Sequence, residues 1–109
     1  MALQEMEFSF KAEGDIQTIP ENWSHTGVVG SGDMEVLIRY EDLGGKAKFK
    51  VVTPVRGFDE IWEKVLGRFV ADTKLGNAFI QINDNNSTPY IVSMRLKQAL
   101  LEAQEGGGI

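Results

Sequence analysis

The sequence contains no cysteine, one histidine and three prolines among 109 residues, and each scarcity removes a class of chemistry. Without cysteine there is no disulfide, no thiolate metal site and no cysteine nucleophile. With His25 as the lone histidine, histidine-rich metal centres are excluded and carboxylates would have to supply most ligands. His25 precedes Ser31 by six residues, roughly 20 Å along an extended strand, so the two do not form a nucleophile and base. No apolar run approaches the ~18 residues of a bilayer span. The N-terminus "MALQEMEFSF" lacks the basic start of a secretory signal. These features predict a cytoplasmic protein without a membrane partner. Basic residues are also few, eleven against sixteen acidic, and the net charge of −5 disfavours nucleic acid. No Walker or dinucleotide fingerprint occurs. "NDNN" (83–86) lacks the glycine and terminal glutamate of a calcium loop. No catalytic group and no metal site are expected.

What remains is a clear alternation of periods. "EMEFSFK" (5–11) places Met6, Phe8 and Phe10 on one face of a strand, read as an edge. Residues 12–23 read as a long loop, and "HTGVV" (25–29) as a second strand. From Asp33 to Tyr40, Met34, Val36, Ile38 and Tyr40 share a face. "KAKFKVV" (46–52) turns Ala47, Phe49 and Val51 inward and Lys46, Lys48 and Lys50 to solvent. Short glycine-containing turns between these strands predict an antiparallel meander.

The period then becomes helical. Phe58, Ile61, Trp62, Val65, Leu66, Phe69 and Val70 predict one buried helix face, with Asp59 and Glu60 in the first turn and Gly76 as the stop. Gly67 lies inside this helix at a cost of about 1 kcal/mol, which a close approach to the sheet would explain. "NAFIQIN" (77–83) is another strand. Thr88 and Pro89 open a second helix with a stripe of Val92, Leu96, Ala99, Leu100 and Ala103. The expected fold is α+β, in the order β-β-β-β-α-β-α: an antiparallel-rich sheet with both helices on one face. The whole chain, 1–109, reads as one domain with an ordered core over about 4–104 and a flexible tail at 105–109.

The residues left unexplained are Gly30-Ser31-Gly32-Asp33. One reading is a plain turn, in which Gly30 and Gly32 supply positive φ. The other is an attachment site: glycines on both sides strip side-chain cover from the Ser31 hydroxyl, and their N–H groups can form an anion-accepting concavity. Asp33 reads as a cap on the turn, with contact to a modifying enzyme as the alternative.

"VVGSGDMEVLIRY", "KAKFKVVTPVRGFDEIWEKVLGRF" and "NAFIQINDNNSTPYIVSMRLKQALLEA", in that order, resemble the acyl carrier (delta) subunit of malonate decarboxylase from about residue 5 to 104. The matching features are the "GSGDxEVL" core, the Trp-containing helix, and the spacing of Thr88-Pro89, Arg95-Leu96 and Ala99-Leu100. The gamma subunit of citrate lyase is a functional relative. The resemblance implies that Ser31 carries 2′-(5″-phosphoribosyl)-3′-dephospho-CoA through a phosphodiester, with Gly30, Gly32 and Asp33 supporting the turn. It implies a non-catalytic carrier of acetyl and malonyl thioesters. The implied partners are a transferase subunit, a carboxylyase pair of subunits and a prosthetic-group transferase. The acidic net charge suggests docking on basic patches of those partners. Two other functions stay open. A non-catalytic adaptor would hold no covalent group, and a ubiquitin-like sulfur carrier, suggested by "EGGGI", would need Ile109 removed to free its glycines.

Overall fold

A computed structural model describes residues 3–19, 27–30, 34–54, 56–85 and 89–106, the side chains of 27–30, 89–90 and 102–106 apart. The elements are β1 (Gln4–Lys11), β2 (Gly27–Gly30), β3 (Met34–Tyr40), β4 (Lys46–Thr53), α1 (Asp59–Thr73), β5 (Ala78–Asp84) and α2 (Pro89–Gly106). Their order matches the sequence reading. The five strands form one sheet in the spatial order β1-β4-β5-β3-β2, with β1 at an edge as expected.

The meander is the part that changes. β3 and β4 are not neighbours, because β5 lies between them, antiparallel to β3 and parallel to β4. The sheet is therefore mixed. The cause is the length of the two connections. Helix α1 carries the chain back along the sheet, so β5 restarts in the direction of β4, as a crossover requires. The five residues between Tyr40 and Lys46 reach across the ~10 Å of two strand spacings. Ala78, Ile80 and Ile82 of β5 are fully buried, which suits a central strand.

Alternation divides the sheet into two faces. Met34, Val36 and Ile38 join Ala47, Phe49, Val51, Ala78, Ile80 and Ile82 on the face beneath the helices. Trp62, Leu66, Phe69 and Val70 come down from α1, and Val92, Leu96, Ala99 and Leu100 from α2. The helices touch each other, α1 lying over β1 and α2 over β2 and β3. Trp62 is core, as its place in the stripe predicts. Phe58 and Ile61 are not: they are 44% and 39% exposed. Phe58 is the residue before the helix and so falls outside its period, and Ile61 sits on the flank of the stripe.

Two glycines behave differently from each other. A Cβ on Gly67 would meet the Phe10 ring at 3.2 Å, so the helix does approach the sheet closely there. Gly76 does not end α1. That role falls to Lys74, in the left-handed region at φ 59, whose N–H donates to Val70 O. Gly76 instead lies against the backbone of Gly45. Asn77, also left-handed at φ 52, pins the same turn. Its Oδ1 accepts from the N–H groups of Leu43 (3.1 Å) and Gly45 (2.7 Å), and its own N–H donates to Lys46 O. Asn is among the few residues that tolerate this backbone. Residues 12–19, expected as loop, are docked rather than loose. Gln17 exchanges backbone hydrogen bonds with Lys74 and Gly76, and Ile19 is buried.

Candidate functional site

One end of the sheet gathers the features that matter. Here β2 ends at Gly30, β3 begins at Met34, β4 and β5 finish at Thr53 and Asp84, and both helices begin. Gln4 Nε2 of β1 lies 3.5 Å from Asp59 Oδ2, which ties the start of α1 to this end. Helix N-termini carry partial positive charge from their unpaired N–H groups, so anionic groups are favoured near them.

Gly30 pairs with Glu35 across the β2–β3 hairpin, and β2 is the outermost strand on that side. Ser31, Gly32 and Asp33, the rest of the expected site, lie outside the described residues, as do His25 and Thr88. What is described is the frame from which they depart. On the open face Gln81 Nε2 donates to Asn83 Oδ1 at 3.1 Å, and Asn83 Nδ2 donates to Glu35 Oε1 at 2.9 Å. This chain of amides crosses from β5 to β3 and ends on the residue opposite Gly30.

On the helix-covered face, the Thr53 hydroxyl donates to Asp84 Oδ2 at 2.8 Å, and both residues are buried. Asp84 also pairs in register with Met34, the first residue of β3. It thus fastens the ends of three strands directly behind the hairpin. The sequence reading ended the strand at Asn83 and left Asp84 outside it. The signal was present nonetheless, because Ala78, Ile80, Ile82 and Asp84 continue a two-residue period on one face. Asp84→Ala would remove the carboxylate that accepts from the buried Thr53 hydroxyl and is expected to lower stability by about 2 kcal/mol. Urea unfolding checks this, and Asp84→Asn, which keeps an acceptor, should lose less.

Comparison with known proteins decides the family. Residues 21–103 match the family model for the malonate decarboxylase delta subunit (MdcD), an acyl carrier protein. The chain belongs to this family. A malonate decarboxylase acyl carrier protein from Malonomonas rubra is 50% identical over 103 residues, covering 94% of this chain and 90% of that protein. One of the same name from Acinetobacter calcoaceticus is 34% identical over 94 residues, covering 83% and 92%. A chain in the crystal structure of a Pseudomonas malonate decarboxylase hetero-tetramer in complex with malonate superposes with a TM-score of 0.74. It is 29% identical, and the match covers 92% of this chain and 98% of that one. The resemblance to the acyl carrier (delta) subunit of malonate decarboxylase is borne out, and so is the α+β fold. As a malonate decarboxylase acyl carrier protein, the chain is a carrier rather than a catalytic subunit, and membership implies a covalently held prosthetic group.

Proposed function

We propose that this chain carries acyl groups for malonate decarboxylation on a 2′-(5″-phosphoribosyl)-3′-dephospho-CoA arm joined to Ser31 by a phosphodiester, as one subunit of a cytoplasmic multi-subunit complex. The observation that carries the reading is the hairpin of β2 and β3. β2 ends at Gly30 and β3 begins at Met34 at the edge of the sheet, at the end where α1 and α2 begin, and these are the residues that flank Ser31 in the sequence. That end suits the group. A serine hydroxyl is what a phosphodiester needs, and the N-terminus of α2, the helix that packs on β2 and β3 and has no acidic residue in its first turn, favours its negative charge. When bound, the group supplies a terminal thiol on which acetyl is exchanged for malonyl with release of acetate, and carbon dioxide is then lost with uptake of one proton.

The protein's own residues hold and present that arm. The Thr53–Asp84 bond and the Asn83–Glu35 bond stiffen the strand ends from which the hairpin projects. Gly30 and Gly32 leave the backbone bare beside Ser31, and Asp33 caps the turn. The acyl transfer and decarboxylation belong to a transferase subunit and a carboxylyase pair, and a separate transferase loads the arm. A tether of this kind raises the effective concentration of the acyl group at each partner to the order of millimolar.

The test is intact mass of the chain co-expressed with its native neighbouring genes. A mass increase equal to the arm is expected in wild type and is expected to vanish completely in Ser31→Ala. An increase that survives the substitution places the group elsewhere, and no increase in wild type favours the adaptor reading.

A further inference from the structure

Both helices cover one face of the sheet, and no described element covers the other. The two faces differ in charge. Five of the eleven basic residues (Lys11, Arg39, Lys46, Lys48, Lys50) hold positions on the helix-free face, against four of the sixteen acidic ones (Glu5, Glu7, Glu35 and, just past the end of β3, Glu41). The face is therefore net +1 in a chain of net −5, and the rest of the molecule carries −6. Register sorts the charges further. Glu5, Val52, Asn83, Glu35 and Gly30 make one row across the sheet, at the hairpin end. Ser9, Lys48, Phe79 and Arg39 make another, four residues further along β3 and so ~13 Å away.

We propose that this basic end of the helix-free face, centred on Arg39, Lys46, Lys48 and Phe79, docks an acidic surface of a partner subunit in the decarboxylase complex. The inference rests on the carrier function proposed above. The acidity of the whole chain points to basic patches on partners; the sorting of charge reverses that expectation for this face. Arg39 lies over the Phe79 ring, 4.5 Å from its centroid, an arginine–aromatic pair of the type that anchors interfaces. Lys46 has no ion pair among the described residues. Arg39 pairs with Glu41 at 3.7 Å and Lys48 with Glu7 at 3.8 Å, and all four side chains are well exposed. Such surface pairs are weak, so a partner carboxylate displaces Glu41 or Glu7 at little cost.

Position fits a carrier. The basic end is displaced from the hairpin, so docking there leaves the Ser31 end uncovered and within reach of the partner's site.

The experiment measures the affinity of the full-length chain, loaded and unloaded, for the co-purified partner subunits at several salt concentrations. Arg39→Glu/Lys46→Glu/Lys48→Glu is expected to weaken binding about tenfold or more and to flatten its salt dependence. A reversal on the helix layer, Glu60→Lys/Glu63→Lys, should leave affinity within about twofold. Circular dichroism confirms the fold of each variant. If the triple variant unfolds, Lys46→Glu alone gives the same test, with about threefold weakening expected. Wild-type affinity in the folded triple variant, or equal loss from the helix-layer reversal, overturns the docking surface. Because the unloaded chain is measured too, absence of an arm on Ser31 would count against the carrier function and leave this result standing.

Discussion

Gly76→Ala is expected to destabilise the protein by about 3 kcal/mol and to lower its melting temperature by roughly 12 °C. A Cβ there would overlap the carbonyl oxygen of Gly45, and would stand 2.9 Å from Ile16 Cδ1 and 3.1 Å from the Gly45 carbonyl carbon. The oxygen cannot retreat cheaply. Gly45 is itself in the left-handed region at φ 89, and its N–H is held by Asn77 Oδ1 at 2.7 Å. Gly76 is equally fixed, because its N–H donates to Gln17 O at 2.9 Å. Relief on either side breaks a hydrogen bond.

The informative contrast is Gly67→Ala. Its Cβ would press only on the edge of the Phe10 ring, a half-buried side chain that can turn. The helix meanwhile gains about 1 kcal/mol of propensity, so the net change should lie within about 1 kcal/mol of zero. Thermal and urea unfolding of the two variants decide the matter. If Gly76→Ala melts with wild type, the backbone contact with Gly45 is not as described. This contact lies at the end of the sheet opposite Gly30, so the folded fraction of Gly76→Ala should still accept a group at Ser31.

The different roles of these glycines show where sequence reasoning succeeds and where it stops. Period alone located the strands and helices within a residue or two, because burial on one face leaves a repeating trace: Ala47, Phe49 and Val51 on β4, or Leu66, Phe69 and Val70 on α1. The edge position of β1, the core place of Trp62 and the close approach at Gly67 were legible for the same reason. Strand order was not. Whether β4 pairs with β3 or with β5 depends on contacts between residues about thirty apart, and both pairings bury the same face. Gly76 and Asn77 were misread because their work is done against residues 43–46, a turn that leaves no periodic mark. Asp84 was hidden by its neighbours: among asparagines it reads as loop, although its parity assigns it to the buried face. The candidate site was legible in a different way. Periodicity shows only that Ser31 lies between two strands, and its chemistry came from the colinear resemblance around "GSGD". The charge asymmetry of the sheet was illegible until register showed which strands stand side by side.

Phe49→Ala is expected to cost about 4 kcal/mol, a large share of the roughly 5–15 kcal/mol that holds a domain of this size together. Phe49 is fully buried on β4, second in the sheet, with β1 on one side and β5 on the other. Its ring makes edge-to-face contacts with Phe10 of β1, at 5.9 Å between centroids, and with Phe69 of α1, at 6.3 Å. Truncation therefore removes a side chain that bridges Phe10 of the edge strand and Phe69 of the helix layer, and the surrounding strands are too rigid to collapse into the gap. Phe79 provides the comparison, since it is one strand over but on the helix-free face and only partly buried. Phe79→Ala should cost about 1 kcal/mol, because the ring is already partly in water and no cavity forms. Urea titration of both variants measures the difference. Near-equal losses would mean that the two faces of the sheet are equally buried, and that a further layer covers Lys48, Phe79 and Arg39 in the isolated chain. The proposed docking surface would then not exist in the free protein. A gap of about 3 kcal/mol leaves that face open to a partner, with the carrier's stability residing almost wholly on the other side.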